Sequence, residues 1–301
     1  MRRSMRYISI AVILLGISTA GAASGKFYIV GMGTAPDLIT LRAVDAIRGA
    51  QIILLEHPSE RDTWKDLIGD KEVWICPTRA RVGLGLDPKK VGDPAVRAVV
   101  EQNAQVRQET VDKIRKAVEE GKTVAALKGG DPMIYGTTFY LEMLPGNFPA
   151  EIIPGIGAFQ ASSAAVKMSP VFGYDTSSVI LTMDDWPGRS DLNEKLMAAK
   201  TSMIFYTMNL DYPRLFAQLK RYYPPGTPVA VVSFAGDRQK QKVLRSTLGR
   251  FMAEVDHKHL PTDAHMLLVG KFLDVGQARG DALLGARRFI ERVHGANPTA
   301  R

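Results

Sequence analysis

The chain has 301 residues, 46% hydrophobic and 23% charged, with 39 basic against 31 acidic side chains and a formal charge of +8. That balance excludes a disordered or repeat protein and leaves enough length for two domains, each with its own core. A single cysteine, Cys76, excludes an internal disulfide and a cysteine-built metal site, while the mild basicity suits an anionic partner.

At the N-terminus, Arg2, Arg3 and Arg6 precede an apolar run over residues 8–17 that ends in Ala20-Gly21-Ala22. This is the pattern of an export signal over residues 1–23, cut after Ala22 or Ala23, and it predicts an exported, periplasmic protein. The run is too short to span a membrane comfortably, so membrane association is expected only through this segment if it stays uncleaved. Its removal takes away three arginines and leaves a charge of +5.

Short apolar runs at 27–30, 52–55, 73–75, 124–127 and 152–153 are bounded by Gly, Pro or charged turns, as buried strands are. Between them, Asp37 is expected to cap a helix carrying Leu41, Val44 and Ile47. A longer helix over 98–120 places Val99, Val106, Val111, Ile114 and Val118 broadly on one side before Gly121. Residues 79–94, rich in Gly, Lys and Pro, read as a long mobile loop. Strands alternating with helices predict a mainly parallel α/β sheet.

The pattern restarts at Pro154-Gly155. Helices are expected at 158–166, 192–199 and 212–221, and strands at 179–182, 203–206, 229–233 and 266–269. The predicted organisation is therefore two α/β domains, 24–153 and 154–277, followed by a terminal helix over 278–293 and a frayed tail.

The most informative stretch is 123–136, Thr-Val-Ala-Ala-Leu-Lys-Gly-Gly-Asp-Pro-Met-Ile-Tyr-Gly. Adjacent glycines let main chain approach a ligand, Asp131 can accept from ligand donors, and Pro132 stiffens the turn. At a strand end such a loop suits a cofactor, although G-G-D-P alone is also an ordinary tight turn. Two further stretches accompany it: Phe27-Tyr-Ile-Val-Gly-Met-Gly-Thr-Ala-Pro-Asp37 before it and Glu151-Ile-Ile-Pro-Gly-Ile-Gly-Ala158 after it.

With these three motifs in this order, the chain resembles the tetrapyrrole (corrin/porphyrin) methylases from about Lys26 to about Phe272. The resemblance implies a two-lobed fold, each lobe an α/β sandwich with a mainly parallel sheet, and a ligand cleft between the lobes. It implies S-adenosylmethionine as methyl donor, a tetrapyrrole acceptor, a homodimer, and no metal requirement. Donor binding is carried over to Gly129, Gly130, Asp131 and Ile134, to Gly157 and Ala158, and to main chain near Met208 and Ala235. Gly31, Gly33 and Tyr135 are expected to border the acceptor. Glu56, closing the second strand, matches an aspartate proposed as proton acceptor in the uroporphyrinogen branch; it reads equally as a solvated acid beside His57. His257, His259 and His265 lack metal-ligand spacing and read as structural.

Departures from the family pattern bear on the substrate. Gly33 runs into Thr34-Ala35-Pro36-Asp37, one residue short of the usual first loop, and Pro77-Thr78 stands where the uroporphyrinogen branch has a lysine, with Arg79 nearby. They count against uroporphyrinogen methylation, while Tyr135-Gly136 and the region 179–182 lean toward the precorrin branches, most nearly precorrin-4 methylation. Two other readings stay open: methylation of a macromolecule, disfavoured because no basic run interleaved with aromatics suggests nucleic acid, and an exported binder that keeps the fold without the chemistry. The second is motivated by the leader, since a donor made in the cytoplasm is not expected outside it.

Overall fold

A computed structural model describes residues 25–135, 139–171, 178–185, 189–208, 210–274, 288–293 and 295. The export signal expected over 1–23, Gly136 and most of the terminal helix expected at 278–293 lie outside the described residues.

The first sheet comprises β1 (Phe27–Gly31), β2 (Ile52–Leu55), β3 (Glu72–Ile75), β4 (Val124–Lys128) and β5 (Ala150–Ile153), all parallel, in the order β3-β2-β4-β1-β5. β2 and β4 are buried along their whole length, which explains their unbroken apolar sequence: parallel strands are covered on both faces. One face packs Phe27, Ile52, Leu54, Val124 and Ala126 against the helix Pro94–Glu119 and Phe139–Tyr140; the other packs Val30, Ile53 and Leu127 against Ala43 and Ile47 of the helix Leu41–Gly49.

The second sheet holds β6 (Val179–Met183), β7 (Ser202–Tyr206), β8 (Pro228–Ser233), β9 (Lys242–Thr247) and β10 (His265–Val269), in the order β6-β7-β10-β8-β9. It is not mainly parallel, contrary to expectation. Only β6 and β7 pair in parallel; β10 inserts antiparallel between β7 and β8, and β8 turns back into β9. The sequence pattern marks β6, β7, β8 and β10, of which the first three share one direction, but it marks neither β9 nor the reversed direction of β10. The helix Ala158–Val166 covers one face of this sheet and the helix Tyr212–Tyr222 the other.

Two local expectations are corrected. Thr40, not Asp37, caps the helix Leu41–Gly49, its Oγ1 accepting from the Ala43 amide at 3.1 Å; Asp37 lies in a one-turn 3-10 helix instead. The segment expected to be a mobile loop contains the 3-10 turns Thr78–Arg81 and Pro88–Lys90 and is fastened to the long helix. Buried Arg107 donates to the carbonyls of Ala80 and Val82, and Asn103 also donates to the Val82 carbonyl. That helix starts at Pro94, earlier than expected, because Asp93 accepts from the Ala95 and Val96 amides. Among the described residues no helix is long and apolar enough to cross a membrane.

At the carboxyl edge of the first sheet, main chain meets main chain. A Cβ at Gly31 would lie 2.4 Å from the Gly155 nitrogen and 2.9 Å from the Pro132 ring, and one at Gly155 would lie 2.2 Å from the Gly130 oxygen. None of these neighbours is the free end of a flexible side chain. Gly31→Ala is therefore expected to cost about 3 kcal/mol or more, read as a fall of roughly 6–12 °C in the thermal midpoint. An unchanged midpoint would mean the seam is looser than its geometry.

Candidate active site

Parallel α/β sheets hold ligands beyond the carboxyl ends of their strands, where neighbouring connections diverge. Here the loops after β1 and β4 lie side by side, joined by paired hydrogen bonds between Gly33 and Gly130 of 2.8 and 3.2 Å. Both glycines have positive φ, +71° and +68°, so the bridge requires the backbone freedom that the two G-rich motifs supply.

These loops form one wall of a cavity of about 310 Å³ between the two lobes. The first lobe contributes Gly33, Thr34, Gly129 and Gly130. The second contributes Ala158 from the start of its first helix, Tyr206, Thr207 and Met208 from the end of β7, Phe234 and Ala235 after β8, and His265 and Met266 from β10. Of the residues expected to hold the donor, Gly129, Gly130, Ala158, Met208 and Ala235 line the cavity; of those expected to border the acceptor, Gly33 does.

The others lie close by or elsewhere. Gly157 supports the loop from behind, a Cβ there falling 3.4 Å from that of Asp131. The Asp131 carboxylate accepts from the Met133 amide at 2.9 Å and so shapes its own turn. Ile134 and Tyr135 are exposed in that turn and do not line the cavity. Gly31 belongs to the glycine seam, away from the cavity wall. Glu56 stands beyond β2 on the same carboxyl edge, its carboxylate 2.6 Å from the Lys128 ammonium.

Tyr135 joins the lobes. Its ring meets that of Tyr206 edge-on at 4.9 Å, and its backbone is held at φ +54°, a conformation bulky residues rarely adopt. Burial, then the neighbouring Tyr135 and Asp131, push the Tyr206 phenol up to about 12. Phe234, at φ +49°, is the second strained aromatic, and it lies on the cavity wall. A clasp closes the same side: Asp37 pairs with Arg238, and Leu38 and Thr34 fill the space above Gly236.

The chain fits a ligand of mixed polarity at this place. No protein atom lies within 4 Å of a Cβ built on Gly129, which leaves room at the wall, and the Thr34 hydroxyl is buried without a hydrogen-bond partner in the protein. Thr34 and Thr207 escaped the sequence reading as individual side chains, while His265, expected to be structural, makes structural hydrogen bonds and also lines the cavity. Thr207 donates to the His265 carbonyl at 2.6 Å, and His265 Nδ1 donates to the Pro261 carbonyl. That fixes the tautomer, so Nε2 accepts from the Tyr212 hydroxyl at 2.7 Å.

Burial depresses the His265 pKa, opposed more weakly by Pro261 and Asp263. As the pH drops below about 6.5, the unfolded chain takes up a proton there that the folded chain refuses, so stability is lost on acidification. The stability advantage of wild type over His265→Gln is therefore expected to shrink between about pH 7.5 and about pH 5.5. Parallel melting curves that keep a constant gap would remove His265 as the titrating group.

A profile of the tetrapyrrole (corrin/porphyrin) methylases matches residues 26–251. The chain belongs to this family. Its members are S-adenosylmethionine-dependent methyltransferases. A siroheme synthase of Pseudomonas fluorescens (strain SBW25) is 29% identical over 259 residues, covering 83% of this chain and 50% of that protein. The chain thus spans about half the length of the curated relatives it matches. Among solved structures, a cobalt precorrin-4 methyltransferase superposes with a TM-score of 0.65 at 22% identity, covering 84% of this chain and 98% of that one. A uroporphyrin-III C-methyltransferase from Thermus thermophilus, complexed with S-adenosylhomocysteine, gives 0.60 at 18% identity, covering 86% and 100%. These likenesses confirm the two-lobed tetrapyrrole methylase fold.

Proposed function

We propose that this methylase transfers the methyl group of S-adenosylmethionine to a carbon of a reduced tetrapyrrole. One observation carries the reading: the G-G-D-P loop and small residues of the second lobe close a cavity between the lobes, on the same strand edge as the Glu56 carboxylate. Gly129, Gly130, Ala158, Met208 and Ala235 would hold the donor largely through main chain, with the Thr34 hydroxyl available to it.

When bound, the donor supplies an electrophilic methyl on a sulfonium, which departs as a neutral thioether. The protein's part is to orient the acceptor carbon in line with that methyl, to exclude water, and to take the proton that the methylated carbon gives up. Glu56 is assigned the last task, the carboxylate accepting the proton as the new carbon–carbon bond is retained.

The proposal admits two types of acceptor. Likeness to siroheme synthases favours a uroporphyrinogen. Pro77-Thr78 and the shortened first loop favour a precorrin, most nearly precorrin-4, and that is the finer proposal. Calorimetry with S-adenosylmethionine, followed by single-turnover transfer from labelled donor to uroporphyrinogen III and to precorrins, tests both levels. Absence of donor binding would overturn the reading, and tetrapyrrole binding without it would instead support a non-catalytic binder.

A further inference from the structure

Resting on that reading, the structure assigns a role to a residue outside the donor cavity: we propose that Lys128 positions Glu56, fixing its carboxylate toward the acceptor. The register of β2 on β4 runs Ile52↔Val124, Ile53↔Ala125, Leu54↔Ala126. Continued to the strand ends, it brings Glu56 level with Lys128. The ammonium lies 2.6 Å from Glu56 Oε1, with Lys128 only 5% exposed and Glu56 20% exposed. One end of the pair is closed into the protein and the other is open.

Stability does not account for this lysine. Taking an ammonium out of water costs several kcal/mol, and a buried ion pair usually does no better than apolar side chains of the same volume. The surroundings would suit an apolar residue: Lys128 closes a fully buried strand and sits over the Tyr140 ring at 5.2 Å, with the Tyr140 hydroxyl at 3.5 Å. That phenol is held protonated, its pKa raised well above the usual tyrosine value by burial first and by Cys76 and Glu56 after it. The hydroxyl therefore offers the ammonium no charge, and Glu56 supplies the anion.

Glu56 is held from both sides. Glu60 accepts from the Glu56 and His57 amides at 2.9 and 3.2 Å, fastening the backbone of the turn, while Lys128 fastens the carboxylate. Lys128 is also covalently joined to Gly129 in the cavity wall. One residue thus ties the proton acceptor to the donor loop, so that the two ends of the reaction keep a common frame.

The test compares wild type with Lys128→Met, which retains volume, and with Lys128→Gln in case the first variant folds poorly. Expected is a fall in kcat of about tenfold to a hundredfold with acceptor KM and donor Kd within about twofold. Glu56→Gln/Lys128→Met should be no slower than Glu56→Gln alone, because Lys128 acts through Glu56. Equal losses in kcat and KM, or a double variant slower by the product of the single effects, would overturn the proposal. Crystal structures of wild type and Lys128→Met decide it without any acceptor: Glu56 should turn away from its wild-type position, and a Glu56 left in place overturns it. A wild type that transfers no methyl would sink the methylase reading, with the positioning role still decided by those two structures.

Discussion

Replacing Glu56 by glutamine is expected to leave donor affinity unchanged and to lower single-turnover methyl transfer by about a hundredfold or more. The amide has nearly the shape of the carboxylate, its oxygen can still accept from Lys128, and the Glu60 clamp on the turn is untouched. What is lost is the capacity to take a proton, a contribution of about 10²–10⁴ when a positioned base is used. Comparing the labelled product formed by the two proteins over one turnover measures it. Equal rates would show that water or the acceptor itself disposes of the proton, leaving the methylase assignment intact and Glu56 a structural acid.

Gly129→Val should abolish donor binding while the thermal midpoint stays within a few degrees of wild type. Gly129 is the clean probe of the loop because its φ is not in the left-handed region and a Cβ there meets no protein atom within 4 Å. The added side chain has only the cavity margin to occupy. Gly130 is a poorer choice: at φ +68° any side chain costs roughly 1–2 kcal/mol before a ligand is considered, so lost binding and a weakened fold would be confounded. Calorimetry and a melting curve on one preparation give both readings. A valine variant that binds the donor normally would place the donor away from Gly129.

Much of the fold was legible because β1, β2 and β4 are buried on both faces, and such strands declare themselves as apolar runs between turns. β9 escaped for the opposite reason. It is an edge strand, Lys-Val-Leu-Arg-Ser-Thr, half exposed, and its sequence resembles any polar surface segment. The insertion of β10 between β7 and β8 is a long-range choice that no local pattern encodes. The fastened segment after β3 depends on Arg107, whose side chain reads in sequence as one more charge on a helix.

The site was legible to a similar depth. Glycines that permit close approach were visible as motifs, and five of the eight residues expected at the donor line the cavity. Gly31 belonged to the same motif but serves packing, a distinction that only the distance to Gly155 reveals. Lys128 was hidden by remoteness: the partner that gives it meaning lies on another strand, and alone it is a lysine at a strand end. Its one sequence trace is a charge closing the buried run Val-Ala-Ala-Leu.

The contact among Gly31, Gly130 and Gly155 also divides the molecule into what can vary and what cannot. With backbone pressed on backbone and on the Pro132 ring, this region leaves no space for a further side chain, and any substituent is transmitted straight to the donor loop. The segment that Arg107 fastens after β3 takes no part in this contact and adds no residue to the cavity wall, so it can change without disturbing either. On the reading proposed above, Pro77-Thr78 belongs to acceptor choice, and grafting the 77–94 segment between relatives would alter it while leaving the donor loop as it is.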